Sequence, residues 1–266
     1  MMDPFQNNEV IQQFLKLLEE NGRQGQATDL STLMWYMDSM NRQYEAVLQE
    51  LHEVRQQLAQ VQEPPVKYVM QGMAAKLEHK ARQIKKTLDN LWEKVAVCAA
   101  SAVDNFKEAG VSALDKAVSA IGVKNVLESL QEKISGMIAD MKQNIETVEN
   151  IGHELRSVGG HLKNAGRAIT GRETQEVDGG QEGRFQFVVL APMRTAQKLL
   201  SSMNHATLAA IGGMEHLEQT AEDARAERQA EKKPSIRQAL AKNRAEAAVR
   251  PDPTQDKERK APEAAL

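Results

Sequence analysis

A heptad pattern of apolar residues between Leu127 and Ile169 constrains the fold of this chain more than any other feature. Read at alternating steps of three and four residues, the pattern runs through six heptads and contains one polar member, Asn144. A repeat of this length is typical of a helix that packs along its whole length against a partner helix. It therefore predicts a long helix from about Lys124 to Ala168. The members are Leu127, Leu130, Ile134, Met137, Met141, Asn144, Val148, Ile151, Leu155, Val158, Leu162, Ala165 and Ile169.

A second apolar heptad pattern extends from Leu30 to Val61, and its ten core positions are all apolar. Pro64-Pro65 comes next, and proline stops a helix because it lacks the amide donor and restricts the residue before it. A helix with ten consecutive apolar core positions must pack against another helix that buries them. The pattern leaves two interpretations open, which are self-association through residues 30–61 and packing of this helix on another helix of the same chain.

Shorter patterns surround these two helices. An amphipathic helix around Val10–Leu18 is expected to end at Asn21-Gly22. Trp35 is expected to be covered either by the apolar face of this helix, which is the favoured interpretation, or by another molecule. A third long helix is predicted from about Val66 to Ala109. After the interruption at Gly110, Ser112 and Asp115 resemble a capping box that opens a short helix.

The C-terminal third begins with a loop at residues 170–184, which has no periodicity. Phe185–Leu190 is interpreted as extended chain or a lead-in to the last long helix. Pro192 is expected at the first position of that helix, where a missing amide donor costs nothing. From Arg250 the chain is charged and rich in proline, which is typical of disorder.

These patterns predict an all-α fold of elongated, coiled-coil-like helices, arranged as a helical bundle or as long antiparallel hairpins, with a disordered C-terminal tail. The composition agrees, because aromatic residues make up only 4% of the chain and charged residues 27%. The expected divisions are an N-terminal helix and acidic coiled-coil segment (residues 1–63), a long-helix bundle (64–232), and a short helix with a charged tail (233–266).

The charge distribution gives little support to nucleic-acid binding. Residues 1–63 carry 4 basic and 10 acidic side chains, residues 64–169 carry 15 and 12, and the remainder carries 15 of each. A dedicated nucleic-acid domain is usually strongly basic. The most basic local stretch contains Lys76, Lys80, Arg82, Lys85 and Lys86, and a solvated helix face is its expected role.

No compartment signal is visible in the sequence. The start has neither a basic region nor an apolar region of the kind that a secretory signal contains. No apolar run reaches the ~20 residues needed to span a bilayer. Cys98 is the only cysteine, so no disulfide within the chain is expected, and it is interpreted as a small buried thiol. A cytoplasmic location is expected.

The sequence contains no recognisable pattern for catalysis, a cofactor or a metal. His153-Glu154 begins like a zinc-protease helix, but Ser157 occupies the position of the second histidine ligand. The other histidines are spread singly over different helices. Gly179, Gly180 and Gly183 lie among acidic residues and precede no capped helix, so they do not predict a phosphate-binding loop. The chain is expected not to be an enzyme, with no catalytic, cofactor-binding or metal site.

Three glycines stand seven residues apart in the long helix predicted from about Lys124 to Ala168. They are Gly152, Gly159 and Gly166, and we call them the glycine column. Each glycine inside a helix costs about 0.5–1 kcal/mol relative to alanine. One interpretation is close approach by another backbone, with the small-residue face of the last long helix as the expected neighbour (Ala206, Ala209, Ala210 and Gly213). The other is a flexible, partly frayed helix end that leads into the 170–184 loop.

Three segments together resemble a family of uncharacterised helical proteins encoded on conjugative mobile elements of gut Firmicutes. They are FLKLLEENGRQGQATDLSTLMWYMDSMNRQ, GHELRSVGGHLKNAGRAITGRETQEVDGGQEGRFQ and VLAPMR. The resemblance covers most of residues 5–240. It implies a bacterial cytoplasm and a setting among DNA-transfer genes, and it implies no catalytic residues.

The sequence therefore favours a helical interaction or scaffold protein of a bacterial mobile element, without catalytic activity. Its expected partner is another protein or a second copy of the chain, held through the coiled-coil patterns. Two alternatives remain. One is a DNA-binding accessory factor of conjugative transfer. The other is a membrane-associated protein that uses the amphipathic stretch Val95–Ile121, although a membrane partner is less expected than a protein.

Overall fold

The computed structural model describes residues 8–59, 64–170, 172–175, 184–232 and 240. The prediction of an all-α fold is confirmed. The tail, predicted to be disordered, lies almost wholly outside the described residues. The helices are α1 (Glu9–Glu20), α2 (Gln24–Ala59), α3 (Pro64–Ala109), α4 (Val111–Ala120), α5 (Lys124–Ile169) and α6 (Arg184–Lys232). Contacts group Met1–Ala221 into one unit, which contains the helix bundle, and Glu222–Leu266 into another.

The four long helices form an antiparallel bundle. In it α2 contacts α3, α3 contacts α5, α5 contacts α6, and α6 contacts α2. In every contact, residue numbers rise along one helix as they fall along its neighbour. The connection of four residues between α2 and α3 favours antiparallel packing of these two helices. The contacts that set the order are Arg55–Glu78 for α2 and α3, Lys80–Asp140 for α3 and α5, Lys124–Glu215 and Ser135–Asn204 for α5 and α6, and Asp29–His216 and Gln43–Ser202 for α6 and α2.

The apolar pattern of α2 is buried inside this bundle. Every pattern member from Leu30 to Leu58 is buried, and Val61 lies outside the described residues. Thr207 of α6 donates a hydrogen bond from Oγ1 to Sδ of Met40, at 3.0 Å, within this interior. Of the two interpretations of the pattern, the structure therefore shows packing within the same chain. A second copy could use the apolar pattern of residues 30–58 only by displacing a helix.

The buried face of α5 drifts around the helix relative to the heptad pattern. As far as Met141 the buried residues are pattern members, but Ile145 and Gly152 are then buried in place of Asn144 and Ile151. An α-helix has 3.6 residues per turn, so a strict seven-residue repeat rotates by about 20° per heptad unless the helices supercoil. This rotation turns the glycine column, which begins at Gly152, towards the bundle.

Helices α1 and α4 lie at one end of the bundle, where α2 and α5 begin. Asn8 caps α1 by accepting a hydrogen bond from the amide of Ile11, and α1 ends at Asn21-Gly22 as predicted, with Gly22 at φ +74°. Ile11, Phe14 and Leu18 bury the apolar face of α1, which contacts α2, α3 and α4.

Two predictions at this end are wrong. Trp35 is not covered by α1. It remains 55% exposed and lines a groove together with Leu15 of α1. Ser112 and Asp115 do not form a capping box. Gly110, at φ +56°, is the N-cap of α4 and makes no side-chain cap. Asp115 instead accepts a hydrogen bond from Nε of Arg23 at 3.1 Å, which ties the connection between α1 and α2 to α4.

The start of α6 also differs from the prediction. Residues 185–190 belong to the helix, and Pro192 lies inside it rather than at its first position. A proline inside a helix leaves the carbonyl four residues earlier without its amide partner. Buried Val189, Leu190 and Met193 anchor this stretch to the core, so tertiary packing outweighs the local preference.

The buried Tyr44 of α2 predicts a loss of stability in alkali. Burial, with a smaller contribution from the nearby carboxylates of Glu45 and Asp89, raises its pKa to about 12. Because the unfolded chain ionises near pH 10, the folded state holds this proton more tightly. Stability from this group is complete below pH 10 and should fall by about 2 kcal/mol as the pH rises to 12. Urea unfolding between pH 9 and 12 measures the effect.

The control is Tyr44→Phe, which keeps the ring and removes the ionisable hydroxyl. The difference in unfolding free energy between the two proteins should change steadily between pH 10 and 12. Parallel curves for the variant and the unsubstituted protein would contradict the prediction.

Candidate functional site

The C-terminal part of α5 extends past the helices that pack against its earlier turns. Gln186, in the first turn of α6, donates a hydrogen bond from Nε2 to the carbonyl of Glu149 at 2.8 Å. Helix α3 begins at Pro64, sixteen residues before Lys80, which contacts both Gly136 and Asp140 of α5. The start of α3 is therefore level with about residue 154 of α5. Residues 153–169 therefore project by about 25 Å at 1.5 Å per residue.

The projecting part of α5 continues the apolar heptad pattern on its surface. Val158 is 63% exposed, Leu162 74% and Ile169 86%, whereas the pattern members from Leu127 to Met141 are fully buried. Leu155 is also exposed. The same repeat thus has two roles. In residues 127–148 it builds the core, and in residues 155–169, which we call the apolar stripe, it faces solvent.

The glycine column lies beside the apolar stripe, and its three members have different surroundings. A Cβ at Gly152 would overlap the side chain of Gln186, so close approach occurs there. The neighbour is a side chain in the first turn of α6, not the predicted face around Ala206 and Gly213. At Gly159 and Gly166 no heavy atom of the described residues lies within 4 Å of the Cβ position. Among the described residues, the close-approach prediction is therefore wrong for these two glycines.

A cleft of about 670 Å³ lies next to the glycine column. Its basic lining residues are Arg156, Lys163, Arg167 and Arg172, and Gly159, Gly160 and Gly166 form part of its floor. We call this the basic cleft. No salt bridge in the described part of the chain joins Lys163, Arg167 or Arg172 to a carboxylate.

A short segment folds back along α5 and forms the other wall of the cleft. The amide of Arg172 donates to the carbonyl of Arg167 at 2.8 Å, just after the helix ends. Asn164 then binds the backbone of Gln175 twice, donating from Nδ2 to its carbonyl at 2.7 Å and accepting from its amide at 3.0 Å. These bonds hold residues 172–175 beside the helix, so Arg172 lines the cleft although it lies outside α5.

The basic stretch of α3 is a different kind of surface. Lys80 pairs with Asp140 of α5 at 2.6 Å and donates to the carbonyl of Gly136 at 3.2 Å. Lys85 pairs with Asp89 at 2.7 Å. Two of its five cations therefore serve contacts within the chain, while Lys76, Arg82 and Lys86 are exposed. The stretch is a solvated helix face with structural ion pairs.

The candidate reactive side chains stand apart from one another. His153 and Glu154 are exposed on α5, and within the described residues no cluster of three or more His, Cys, Asp or Glu side chains could hold a metal ion. Cys98 is partly buried, and burial raises the pKa of its thiol, with the nearby Lys94 ammonium opposing the shift. A thiol with a raised pKa is a poor nucleophile at neutral pH. Gly179, Gly180 and Gly183 lie outside the described residues.

A smaller groove lies between α1 and α2 at the opposite end of the bundle. Trp35 lies at its edge, in edge-to-face contact with Tyr36 at 5.1 Å between ring centroids. Its lining mixes Lys16 with Glu19 and Asp38, so it has no single charge character. None of the described helices has the length and apolarity that crossing a membrane requires.

Sequence reasoning missed several residues of this site. The basic residues of α5 stand seven or four apart, at Arg156, Lys163 and Arg167, and that spacing alone places them on one side of the helix. This spacing is a signal that could have indicated the basic cleft. The fold-back of residues 172–175 and the position of Gln186 had no local signal, because each depends on contacts made across the chain.

Comparisons with known proteins locate the chain in a family but assign it no activity. No curated protein and no solved structure matches the chain. A family model does match, and it covers residues 7–264, which is nearly the whole length. The chain therefore belongs to DUF6674, a family of unknown function.

Proposed function

We propose that this chain is a helical interaction or scaffold protein that holds a protein partner on the projecting end of α5. The apolar stripe is the observation that carries the proposal. Burying an apolar side chain is favourable by about 25 cal/mol per Å², and exposed apolar patches often mark interaction surfaces. The stripe keeps the heptad spacing of the buried part of α5, so the partner surface that fits it best is another helix.

The proposal also covers where the chain acts, and it assigns the chain no catalytic reaction. The resemblance of residues 5–240 to proteins of conjugative mobile elements supports a role in the cytoplasm of a bacterium that carries such an element. The proposed role involves no catalysis, since it uses apolar and basic side chains on the outside of a helix.

Site-specific photocrosslinking in cells tests the proposal. A photoreactive phenylalanine analogue replaces Leu162 in one protein and Leu208 in a control. Leu208 is also an exposed leucine, but it lies on the bundle body in α6. The expected result is a discrete adduct from position 162 and none from position 208. An adduct of twice the chain mass identifies the partner as a second copy.

The specificity of the adduct is checked in the same experiment. Replacing Val158 with asparagine removes an exposed apolar contact without changing the core, so the adduct from position 162 should weaken. If position 162 gives no discrete adduct, or the same products as position 208, the proposed function is wrong.

A further inference from the structure

We infer that the partner segment held on α5 is an acidic amphipathic helix, an inference that rests on the proposed function and names the chemistry of its partner. Three neighbouring features of residues 152–172 carry it: the apolar stripe, the glycine column and the basic cleft. The apolar stripe matches the apolar face of such a helix, and the glycine column lets its backbone approach closely. The basic cleft matches its carboxylates and so selects acidic helices.

Among the described residues, the projecting segment carries more basic than acidic side chains. Residues 153–175 carry four basic side chains and two acidic ones, Glu154 and Glu173. The four basic side chains all line the cleft, and neither acidic residue does. A second copy of the same surface would place like charges together, whereas carboxylates on a partner would pair with Lys163, Arg167 and Arg172. Guanidinium groups also bind carboxylates through two parallel hydrogen bonds.

The glycine column favours a helix over other ligands. On α5 the columns Leu155–Leu162–Ile169 and Gly152–Gly159–Gly166 run side by side, because they are offset by three or four residues and such residues are neighbours on a helix surface. A partner helix on the stripe could approach closely over Gly159 and Gly166, where the described residues leave the Cβ positions open. Neither a lipid headgroup nor a nucleic-acid backbone needs this close approach. The cleft contains no aromatic side chain on which a base could stack, among the residues that the structure describes.

Binding of designed peptides to the full chain tests the inference. One labelled peptide has three heptads with leucine at a and d and glutamate at e and g, and its counterpart has lysine in place of glutamate. Fluorescence anisotropy measures both affinities. The glutamate peptide is expected to bind at least about tenfold more tightly than the lysine peptide, and its affinity should fall as salt is raised.

Substitutions in the cleft locate the interaction. The double variant Lys163→Glu/Arg167→Glu should weaken the glutamate peptide about tenfold or more, because two exposed ion pairs become repulsions. The matched control, Lys142→Glu/Lys198→Glu, reverses two lysines on the bundle body and should leave the affinity unchanged. Thermal melts confirm that each variant folds.

Three other outcomes would each contradict the inference, and the experiments distinguish them. If both peptides bind equally and both are lost in Leu162→Asn, the interaction surface is real but prefers no acidic partner. If neither peptide binds while position 162 still crosslinks in cells, the proposed function survives and the acidic helix is wrong. If double-stranded DNA or phosphatidylglycerol vesicles bind through Lys163 and Arg167 and the glutamate peptide does not, the cleft recognises phosphate instead.

Discussion

Replacing Arg23 with alanine is expected to lower the free energy of unfolding by about 3 kcal/mol. Asp115 is only 2% exposed, and Nε of Arg23 donates to its Oδ1 at 3.1 Å. Removing the guanidinium takes this cation away from a buried carboxylate, and losing one partner of a buried ion pair is strongly destabilising. Chemical denaturation of the two proteins measures the loss.

Two further variants separate the buried charge from a general loss of contacts. Arg23→Met with Asp115→Leu removes both charges and keeps similar volumes, so stability should return close to that of the unsubstituted protein. Lys16→Ala breaks the exposed Lys16–Glu20 pair and should change stability only slightly. A double variant as unstable as Arg23→Ala would contradict this explanation.

Leucine substitutions at Gly152 and Gly159 are expected to change stability in opposite directions. Gly152→Leu places a side chain where Gln186 lies, and Gln186 is buried and bonded to both Glu149 and Arg156. Displacing it loses these bonds and overpacks the site, at a cost of about 3 kcal/mol. Gly159→Leu meets no heavy atom of the described residues. It should therefore stabilise the helix by about 0.5–1 kcal/mol.

Thermal and urea unfolding of both variants give the comparison. Gly152→Ala should destabilise less than Gly152→Leu, whereas Gly159→Ala should stabilise at least as much as Gly159→Leu because alanine has the highest helix propensity. The same pair also tests the partner interaction, since Gly159→Leu should weaken partner binding although it stabilises the free chain. Equal losses of stability at both positions would show that another part of the chain covers Gly159.

The sequence by itself determined the helices and most of their ends. Apolar residues at a spacing of three and four predict a helix wherever the pattern continues, and Gly22, Gly110 and Gly122 take positive φ values that few other residues tolerate. These are local properties. The predicted ends of α3 and α5 consequently agree closely with the structure, and the all-α class follows from the same patterns.

The tertiary structure alone decided which face of each helix is covered and by what. The apolar patterns of residues 30–58 and 155–169 look alike in sequence, yet the first is buried in the bundle and the second is exposed. The difference arises because α3 and α6 begin level with about residue 154 of α5, well before its end at Ile169. Similarly, Asp115 pairs with Arg23, 92 positions earlier, rather than capping its own helix. A residue's own neighbours in sequence set its backbone conformation, whereas its burial depends on where distant helices begin and end.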